Sequence, residues 1–340
     1  MVVSTPETSP TPCPPAGDRL LAALDIGGTK IAGAVVDAHG TVLHRAQRPT
    51  PPGGGAEEVF GALRAVLEEL GGLPSWARVA CLGVASAGPV DIARGSVSPV
   101  NIPGWRDFPV VERVRGLPQA TGLPVALCGD AVAMTAAEHR FGAARGCRDA
   151  LCMVVSTGVG AGLVMDGAVR NGPTGNAGHL GHMTVDLLGD PCVCGSRGCV
   201  EQLASGTSLT RRALRNGWRP TGATDGAALA ADARTGDVAA LAAFDTAARA
   251  LAAAVAAVAT LVEIEVAVIG GGVAEAHDVL FPPLRRHLAS YAVLPFAAGV
   301  RVEAAALRAD AGLIGAALLA DGPRPARGRE FQGAGATESR

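Results

Sequence analysis

Lysine is almost missing from this chain. Its 340 residues include 29 Lys and Arg together, and Lys30 is the one lysine among them. A surplus of either charge is missing too, with 31 acids set against those bases for a net charge of −2. So balanced a chain has no electrostatic footprint for nucleic acid or an anionic membrane surface. Long apolar runs are also lacking. The most apolar helix-like stretch, Leu251–Val262, is mostly alanine and well short of the ~20 residues that a membrane span needs. Met1–Gly17 is rich in Pro, Thr and Ser, with no basic start leading into an apolar run, so a soluble cytoplasmic protein is expected.

What is there is enough for a large core. The length suits two domains, and 49% of residues are hydrophobic. Met1–Gly17 and Gly322–Arg340 read as disordered tails. Between them strands and helices alternate. Leu20–Ile26, Ile31–Asp37 and Thr41–Arg45 read as short strands joined by tight turns. Val59, Leu63, Val66, Leu67 and Leu70 repeat at helical spacing, and Gly71-Gly72 stops that helix. Val79–Ala85 and Val125–Cys128 read as buried strands, the second leading into a helix over Ala131–Phe141. Leu151–Ser156 and Gly162–Met165 repeat the early layout of two strands around a glycine turn, which suggests a duplicated core. Ser208–Leu261 reads as helical, Glu265–Ile269 as a strand and Asp310–Leu319 as a closing helix. The class is α/β with a cleft between two halves.

Three glycine sites carry candidate chemistry. In Asp25-Ile-Gly-Gly-Thr-Lys30, Gly27 and Gly28 let backbone N–H groups approach an anion, with no Cβ in the way. Thr29 adds a hydroxyl and Lys30 a charge, and Asp25 is the residue type that holds Mg²⁺ through water. The second site is Ser156-Thr-Gly-Val-Gly-Ala-Gly162, with hydroxyls at Ser156 and Thr157 and glycines at 158, 160 and 162. Gly270-Gly271-Gly272 follows an apolar strand and can lie flat against a base or ribose. Each of these is also compatible with a plain turn.

A fourth pattern is more specific. Cys192-x-Cys194-x₄-Cys199, preceded by His182, supplies three thiolates and an imidazole, the donor set of a structural Zn²⁺. His179 is a rival fourth ligand, while Cys13, Cys81, Cys128, Cys147 and Cys152 lie singly and read as tail or core residues.

Taken in order, Asp25–Lys30, Gly83–Asp91, Asn101–Trp105, Ser156–Gly162, Gly175–His182, Cys192–Glu201 and Gly270–Gly272 resemble the successive motifs of the ROK sugar kinases. That family includes bacterial glucokinases and N-acetylmannosamine kinases. The resemblance runs from about Leu20 to Ala320 and implies the actin-like ATPase (ribonuclease H-like) fold, two α/β domains around a central cleft. It implies a small N-terminal domain over 18–130, closed by the helix 310–320, and a large domain over 131–309 carrying a zinc loop at 179–201. On this likeness Asp130 is the catalytic base. Asp25, Gly27, Gly28, Thr29, Lys30, Ser156, Thr157, Gly158, Gly271 and Gly272 hold ATP. Asn101, Gly129, Asp130, His179, His182 and Glu201 face the substrate, and His182, Cys192, Cys194 and Cys199 hold zinc. It further implies ATP with Mg²⁺, structural zinc, and a homodimer or homotetramer.

Three positions depart from the family's usual residues: Gly129 for Asn, His179 for Glu and Ala87 for Pro. The first two are normally sugar contacts, and an unpaired hydroxyl in a closed site costs about 1–3 kcal/mol. The resemblance implies transfer to a primary, 6-OH-type hydroxyl of a hexose or hexose-like acceptor, and the two lost contacts argue against a plain glucose pocket, so that an aminohexose or a C7 cyclitol of secondary metabolism competes with a plain hexose. A catalytically silent sugar-binding protein and a sugar-responsive repressor are the remaining readings. About 19 residues precede the first strand, fewer than a helix-turn-helix domain needs.

Overall fold

The computed structural model describes residues 19–322. The expected tails, 1–17 and all but Gly322 of 322–340, lie outside the described residues, as does Cys13. The chain runs β1 (Leu20–Ile26), β2 (Lys30–Val36), β3 (Val42–Pro49), α1 (Ala56–Gly71), β4 (Val79–Ser86), β5 (Val90–Asp91), β6 (Ser96–Val97), α2 (Val110–Arg115), β7 (Val125–Gly129) and α3 (Asp130–Phe141). It continues through β8 (Ala150–Val155), β9 (Val159–Met165), β10 (Ala168–Arg170), α4 (Val200–Ala204), α5 (Gly206–Arg215), α6 (Gly226–Arg234), α7 (Val238–Val262), β11 (Val266–Gly270), α8 (His277–Tyr291), β12 (Arg301–Ala304) and α9 (Ala311–Ala320).

Two five-stranded sheets repeat one topology. The first has the order β3-β2-β1-β4-β7 and the second β10-β9-β8-β11-β12. In each, the first three strands are antiparallel neighbours and the last two join in parallel. The central strands read as continuous apolar runs because helices cover both faces. In β1 every residue but Asp25 is buried.

One face of the first sheet carries α1, whose buried residues are Val59, Phe60, Leu63, Val66, Leu67 and Leu70. The periodicity and the stop at Gly71-Gly72 agree with this helix. The other face carries α9, so the end of the chain returns to the sheet with which it began. α3 lies on β8 and β9 of the second sheet, and α3 and α9 pack against each other between the two. Small residues permit this. A Cβ at Gly315 would overlap the Ala133 carbonyl of α3, and one at Gly83 the Ala316 carbonyl of α9.

Two expectations are corrected. The single helical region over Ser208–Leu261 is three helices, α5, α6 and α7, each opened by a fresh N-cap at Ser205, Asp225 and Asp237. Each cap side chain accepts an N–H three residues on, so alanine-rich composition did not merge what the caps separate. α7 also extends the apolar stretch read at Leu251–Val262 back to Val238. Its 25 residues are long and apolar enough, by length and composition alone, to cross a membrane. Its face through Ala240, Ala243, Ala247, Leu251, Ala254 and Val258 is buried in the core beside the second sheet. The second correction concerns the glycine loop at 156–162. The turn is only 156–158, and Gly160 and Gly162 lie inside β9. A Cβ at Gly160 would come within 3.1 Å of Ala131 Cβ, and one at Gly162 would run into Thr135 Oγ1, so these glycines admit α3 onto the strand.

Candidate active site

The two duplicated turns occupy equivalent places, between the first two strands of each sheet. In the first, the Gly27 N–H donates to Lys30 O at 3.0 Å and the Thr50 hydroxyl to Gly27 O at 2.7 Å, which fixes the turn. The amides of Gly28 and Thr29 donate to no described residue and are left for a ligand. Gly28 has no room for a side chain, because Asn101 lies against it. Thr29 and Lys30 are exposed. In the second turn the Ser156 N–H donates to Gly158 O at 2.8 Å and the Gly206 N–H to Ser156 O at 2.7 Å. The Thr157 and Gly158 amides likewise donate to no described residue.

Asn101 sits on a loop held from beneath. Trp105 is fully buried, its indole N–H donates to Ala56 O at 3.1 Å, and its ring stacks on Phe108 with centroids 4.3 Å apart. The Arg106 guanidinium donates to the carbonyls of Pro99, Ile102 and Trp105.

Asp130 opens α3, with Gly129 as the N-cap residue. Asp130 is therefore the first residue of the helix rather than its cap. Its Oδ1 accepts the next N–H, that of Ala131, at 2.7 Å. Burial raises its carboxyl above the usual carboxylate range. Asp25, at the end of β1 and beside Gly312 of α9, accepts no hydrogen bond from a described residue. Burial first, then the negative charge of Asp130, pushes Asp25 up to about 7 against the pull of Lys30. A buried carboxylate that accepts from no described residue and feels the charge of a second one is the kind of group a hard cation would satisfy.

Glu201 lies in the first turn of α4. Its Oε2 accepts the Val159 N–H at 2.9 Å and crowds Gly158, which ties this carboxylate to the second glycine turn. Just before it comes the cysteine cluster. The ligand atoms of His182, Cys192, Cys194 and Cys199 lie within 4.8 Å of one another. His182 Nδ1 is 3.7 Å from Cys192 Sγ, and Cys194 Sγ is 3.7 Å from Cys199 Sγ. Ligands about 2.3 Å from a tetrahedral Zn²⁺ stand about 3.8 Å apart, so the donor set fits that ion. Burial, then the thiols of Cys192 and Cys194, pushes Cys199 up to about 12. Three thiols this close do not all ionise without a cation among them. Gly195 at φ 91° makes the knuckle between them. His182 thus turns Nδ1 to the cluster, which leaves Nε2 as its other ring nitrogen.

His179 is not part of this cluster. Its Nδ1 lies 3.1 Å from Asn176 O, and its ring centroid is 6.2 Å from that of His182. The rivalry for the fourth ligand position goes to His182.

Gly271 has φ 90° and folds back on Val155, and the Val273 N–H donates to Val155 O at 3.0 Å. This places Gly272 beside Ser156, on the wall of a cavity of about 610 Å³. Ser156, Thr157 and Gly272 were expected there. Thr207, Asp225, Glu275 and Ala276 also line it. Sequence reading missed these four, because they sit at helix starts and turns whose spacing carries no chemical signature; the one available signal was the N-cap at Asp225. Asp25, Gly27, Gly28, Thr29, Lys30, Gly158 and Gly271 do not line this cavity.

The family described as ROK matches residues 21–322. A glucokinase of Thermotoga maritima is 34% identical over 313 residues, covering 88% of this chain and 96% of that one. An N-acetylmannosamine kinase of Citrobacter koseri is 36% identical over 302 residues, covering 89% and 99%. The crystal structure of a ROK family glucokinase from Streptomyces griseus, in complex with glucose and AMPPNP, superposes with a TM-score of 0.78 at 35% identity. That match covers 89% of this chain and 99% of that one.

Proposed function

The chain belongs to the ROK family, and from that membership we propose that this sugar kinase transfers the γ-phosphoryl group of ATP to a primary, 6-OH-type hydroxyl of a hexose or hexose-like acceptor. Its fold is the actin-like ATPase fold, with one copy of the ribonuclease H-like sheet on each side of the paired helices α3 and α9. We read 18–130 with the C-terminal helix as the small domain and 131–309 as the large one.

The observation that carries the reading is the register of β1, β4 and β7, which pairs Ile26 with Ser86 and Ser86 with Gly129 and so sets Asp25 and Asp130 at neighbouring strand ends, beside a glycine turn whose amides donate to no described residue. Phosphoryl transfer needs positioning and charge neutralisation more than covalent chemistry. In this reading Asp130 accepts the proton of the attacking hydroxyl, and the upward shift that burial gives its carboxyl makes it a stronger base for that task. The amides of Gly28, Thr29, Thr157 and Gly158 receive phosphate oxygens, with the Thr29 hydroxyl and the Lys30 ammonium beside them. Gly272 faces adenosine from the wall of the 610 Å³ cavity, and Gly271 behind it makes the turn that sets Gly272 there. Asp25 would hold Mg²⁺, which would supply neutralisation of the charge on the transferred phosphate. Asn101, His179, the Nε2 of His182 and Glu201 contact acceptor hydroxyls. Zinc on His182, Cys192, Cys194 and Cys199 fixes the loop bearing Glu201.

A second reading, an acceptor other than a plain hexose, is favoured by Gly129 and His179, which supply neither the amide nor the carboxylate usual at those places. The family likeness suggests a cytoplasmic homodimer or homotetramer, and the balanced charge supports a reading without nucleic-acid or membrane partners. The test is ATP consumption against hexoses, aminohexoses and cyclitols with and without Mg²⁺, with the phosphorylated carbon assigned by NMR. Turnover on a primary hydroxyl supports the proposal. No turnover on any acceptor overturns it in favour of a silent binding protein.

A further inference from the structure

Among the described residues, one charged side chain is fully buried and takes no part in the proposed chemistry. Glu138 lies on α3 and is 0% exposed. A carboxylate is rarely placed so deep unless its oxygens are answered. Here backbone N–H groups answer them. Oε1 accepts the Leu307 N–H at 2.8 Å, and Oε2 accepts those of Ala306 at 3.1 Å and Ala143 at 2.8 Å. Gly142 makes room for this, since a Cβ there would overlap Oε2.

The described chain passes between the two five-stranded sheets twice, through α3 after β7 and through residues 305–310 between β12 and α9. Glu138 belongs to the first passage and holds the backbone of the second. That second passage is anchored to one sheet by the Ala305 N–H, which donates to Ile269 O at 3.0 Å, and to the other sheet by α9. Both helices bear on the two acids. Asp130 opens α3, and Glu138 stands eight residues on, about 12 Å along the helix axis. Gly312 of α9, five residues after Leu307, lies against Asp25, and Gly315 meets the Ala133 backbone. The passages therefore touch at 133 and 315 and are tied again at 138 and 307. One contact leaves a pivot; two fix an angle.

We propose that Glu138 is a positioning residue of the phosphoryl transfer: by tying Ala306 and Leu307 to α3 it fixes the angle between α3 and α9, and with it the placement of Asp130 relative to Asp25 and the first glycine turn. This role rests on the kinase reading and adds to it a residue that touches no reactant. The task demands a carboxylate. Glutamine has the same size, but one of its two polar atoms is a donor, so whichever way the amide turns at least one buried backbone N–H meets another.

Glu138→Gln and Gly142→Ala test this role, the first by turning an acceptor into a donor and the second by pushing the carboxylate aside. Both are expected to lower kcat about 10–100-fold, as a misplacement of about 1 Å does. Calorimetric binding of AMP is expected to stay within twofold of the wild type, because the cavity proposed for adenosine is lined only by residues from Ser156 to Ala276. Amide exchange in the wild-type chain is expected to be as slow at Ala306 and Leu307 as in the interior of α3. In the Gln variant it is expected to quicken at least tenfold there and in the first turn of α9. Wild-type kcat in either folded variant overturns the proposal. So does a loss of AMP affinity by the same factor as kcat, which marks a general loosening of the chain. So do wild-type amides at 306 and 307 that exchange as fast as an open loop. Gly142→Ala and the wild-type exchange decide the matter if the Gln variant does not fold. Absence of transfer by the wild-type chain to any acceptor sinks the kinase reading instead. The tie between the passages then stands if exchange in the Gln variant quickens in α9 but not in the strands of either sheet, and falls if it quickens everywhere or nowhere.

Discussion

The Glu201 carboxylate accepts the Val159 amide at 2.9 Å, and this one hydrogen bond joins the helix that follows the cysteine cluster to the second glycine turn. Cys199 is the N-cap residue of that helix, so the Cys/His cluster, the Glu201 carboxylate and the second glycine turn are successive links in a short chain of contacts. Gln202 adds a further link, its side-chain amide donating to Cys192 Sγ at 3.7 Å while its oxygen takes a guanidinium N–H of Arg211.

Removing one metal ligand therefore reaches the acceptor pocket. Cys194→Ser is expected to lower bound zinc well below one ion per chain. It is also expected to reduce kcat/KM about 10–100-fold, as loss of a supporting contact around a metal does. Cys194 is exposed, so the exchange itself costs the core little. Atomic spectroscopy and steady-state kinetics on the same preparation check this. Full zinc occupancy with unaltered kinetics would rule it out.

Asp130→Asn keeps size and polarity while removing the base, and kcat is expected to fall about 10²–10⁴-fold with the melting temperature nearly unchanged. The pH dependence carries a second check. Burial raises the Asp130 carboxyl, so the base form is lost on the acid side at a pH above the ordinary value of about 4. A kcat profile flat down to pH 4, or a fully active Asn variant, would remove Asp130 from this role.

The fold was largely legible because its signals are local. The apolar run of β1, the spacing of Val59 to Leu70 and the glycines after it are read directly from the chain, and so is the duplication of the glycine turns. The cysteine cluster was legible for the same reason: short loop, soft ligands, one nearby histidine. The rest depends on contacts distant in sequence. That Gly160 and Gly162 accommodate Ala131 and Thr135 cannot be told from a phosphate-loop glycine by spacing. That His179 bonds Asn176 O and leaves the metal to His182 is decided by the φ of 87° at Gly178 and the grip of Asn176 on Val90. The cavity walls at Thr207 and Glu275 come together only when α5 and the segment after β11 fold onto Ser156.

Asp25 gives the ligand-free protein a characteristic pH dependence. Its carboxyl stands at about 7 in the folded chain against an ordinary 3.8, so between these values the folded state holds a proton that the unfolded state has released. Stability then falls as pH rises through that window. Three pH units correspond to at most about 4 kcal/mol, and to about half that once water around a half-buried carboxylate is allowed for. Asp25→Asn is expected to flatten the slope and to stabilise the ligand-free chain above pH 7 by about 1–2 kcal/mol. Urea denaturation from pH 4.5 to 8, without nucleotide or divalent metal, tests both. A wild-type chain that gains stability across this range would contradict the sign.

The crossing of α3 and α9 links folding to chemistry, and Gly315 is where it can be probed. A Cβ there would overlap the Ala133 carbonyl, one turn into the helix that begins with Asp130. On the same helix as Gly315, Gly312 lies against Asp25, with room of only 2.9 Å between a Cβ at 312 and Oδ2. Gly315→Ala must push the helices apart, since backbone cannot move aside as a flexible side chain does. Overpacking of this kind costs about 1–3 kcal/mol, although the same exchange in an exposed helix would stabilise it by up to about 1 kcal/mol. Gly299→Ala, which meets nothing within 4 Å, is the control and is expected to change stability by less than about 0.5 kcal/mol. Because the displaced helices carry Asp130 and flank Asp25, kcat is expected to drop for Gly315→Ala under conditions where it remains folded, and not for the control. Denaturation midpoints and kcat measured on both variants decide the matter: a stabilised, fully active Gly315→Ala would mean that the two helices do not meet this closely.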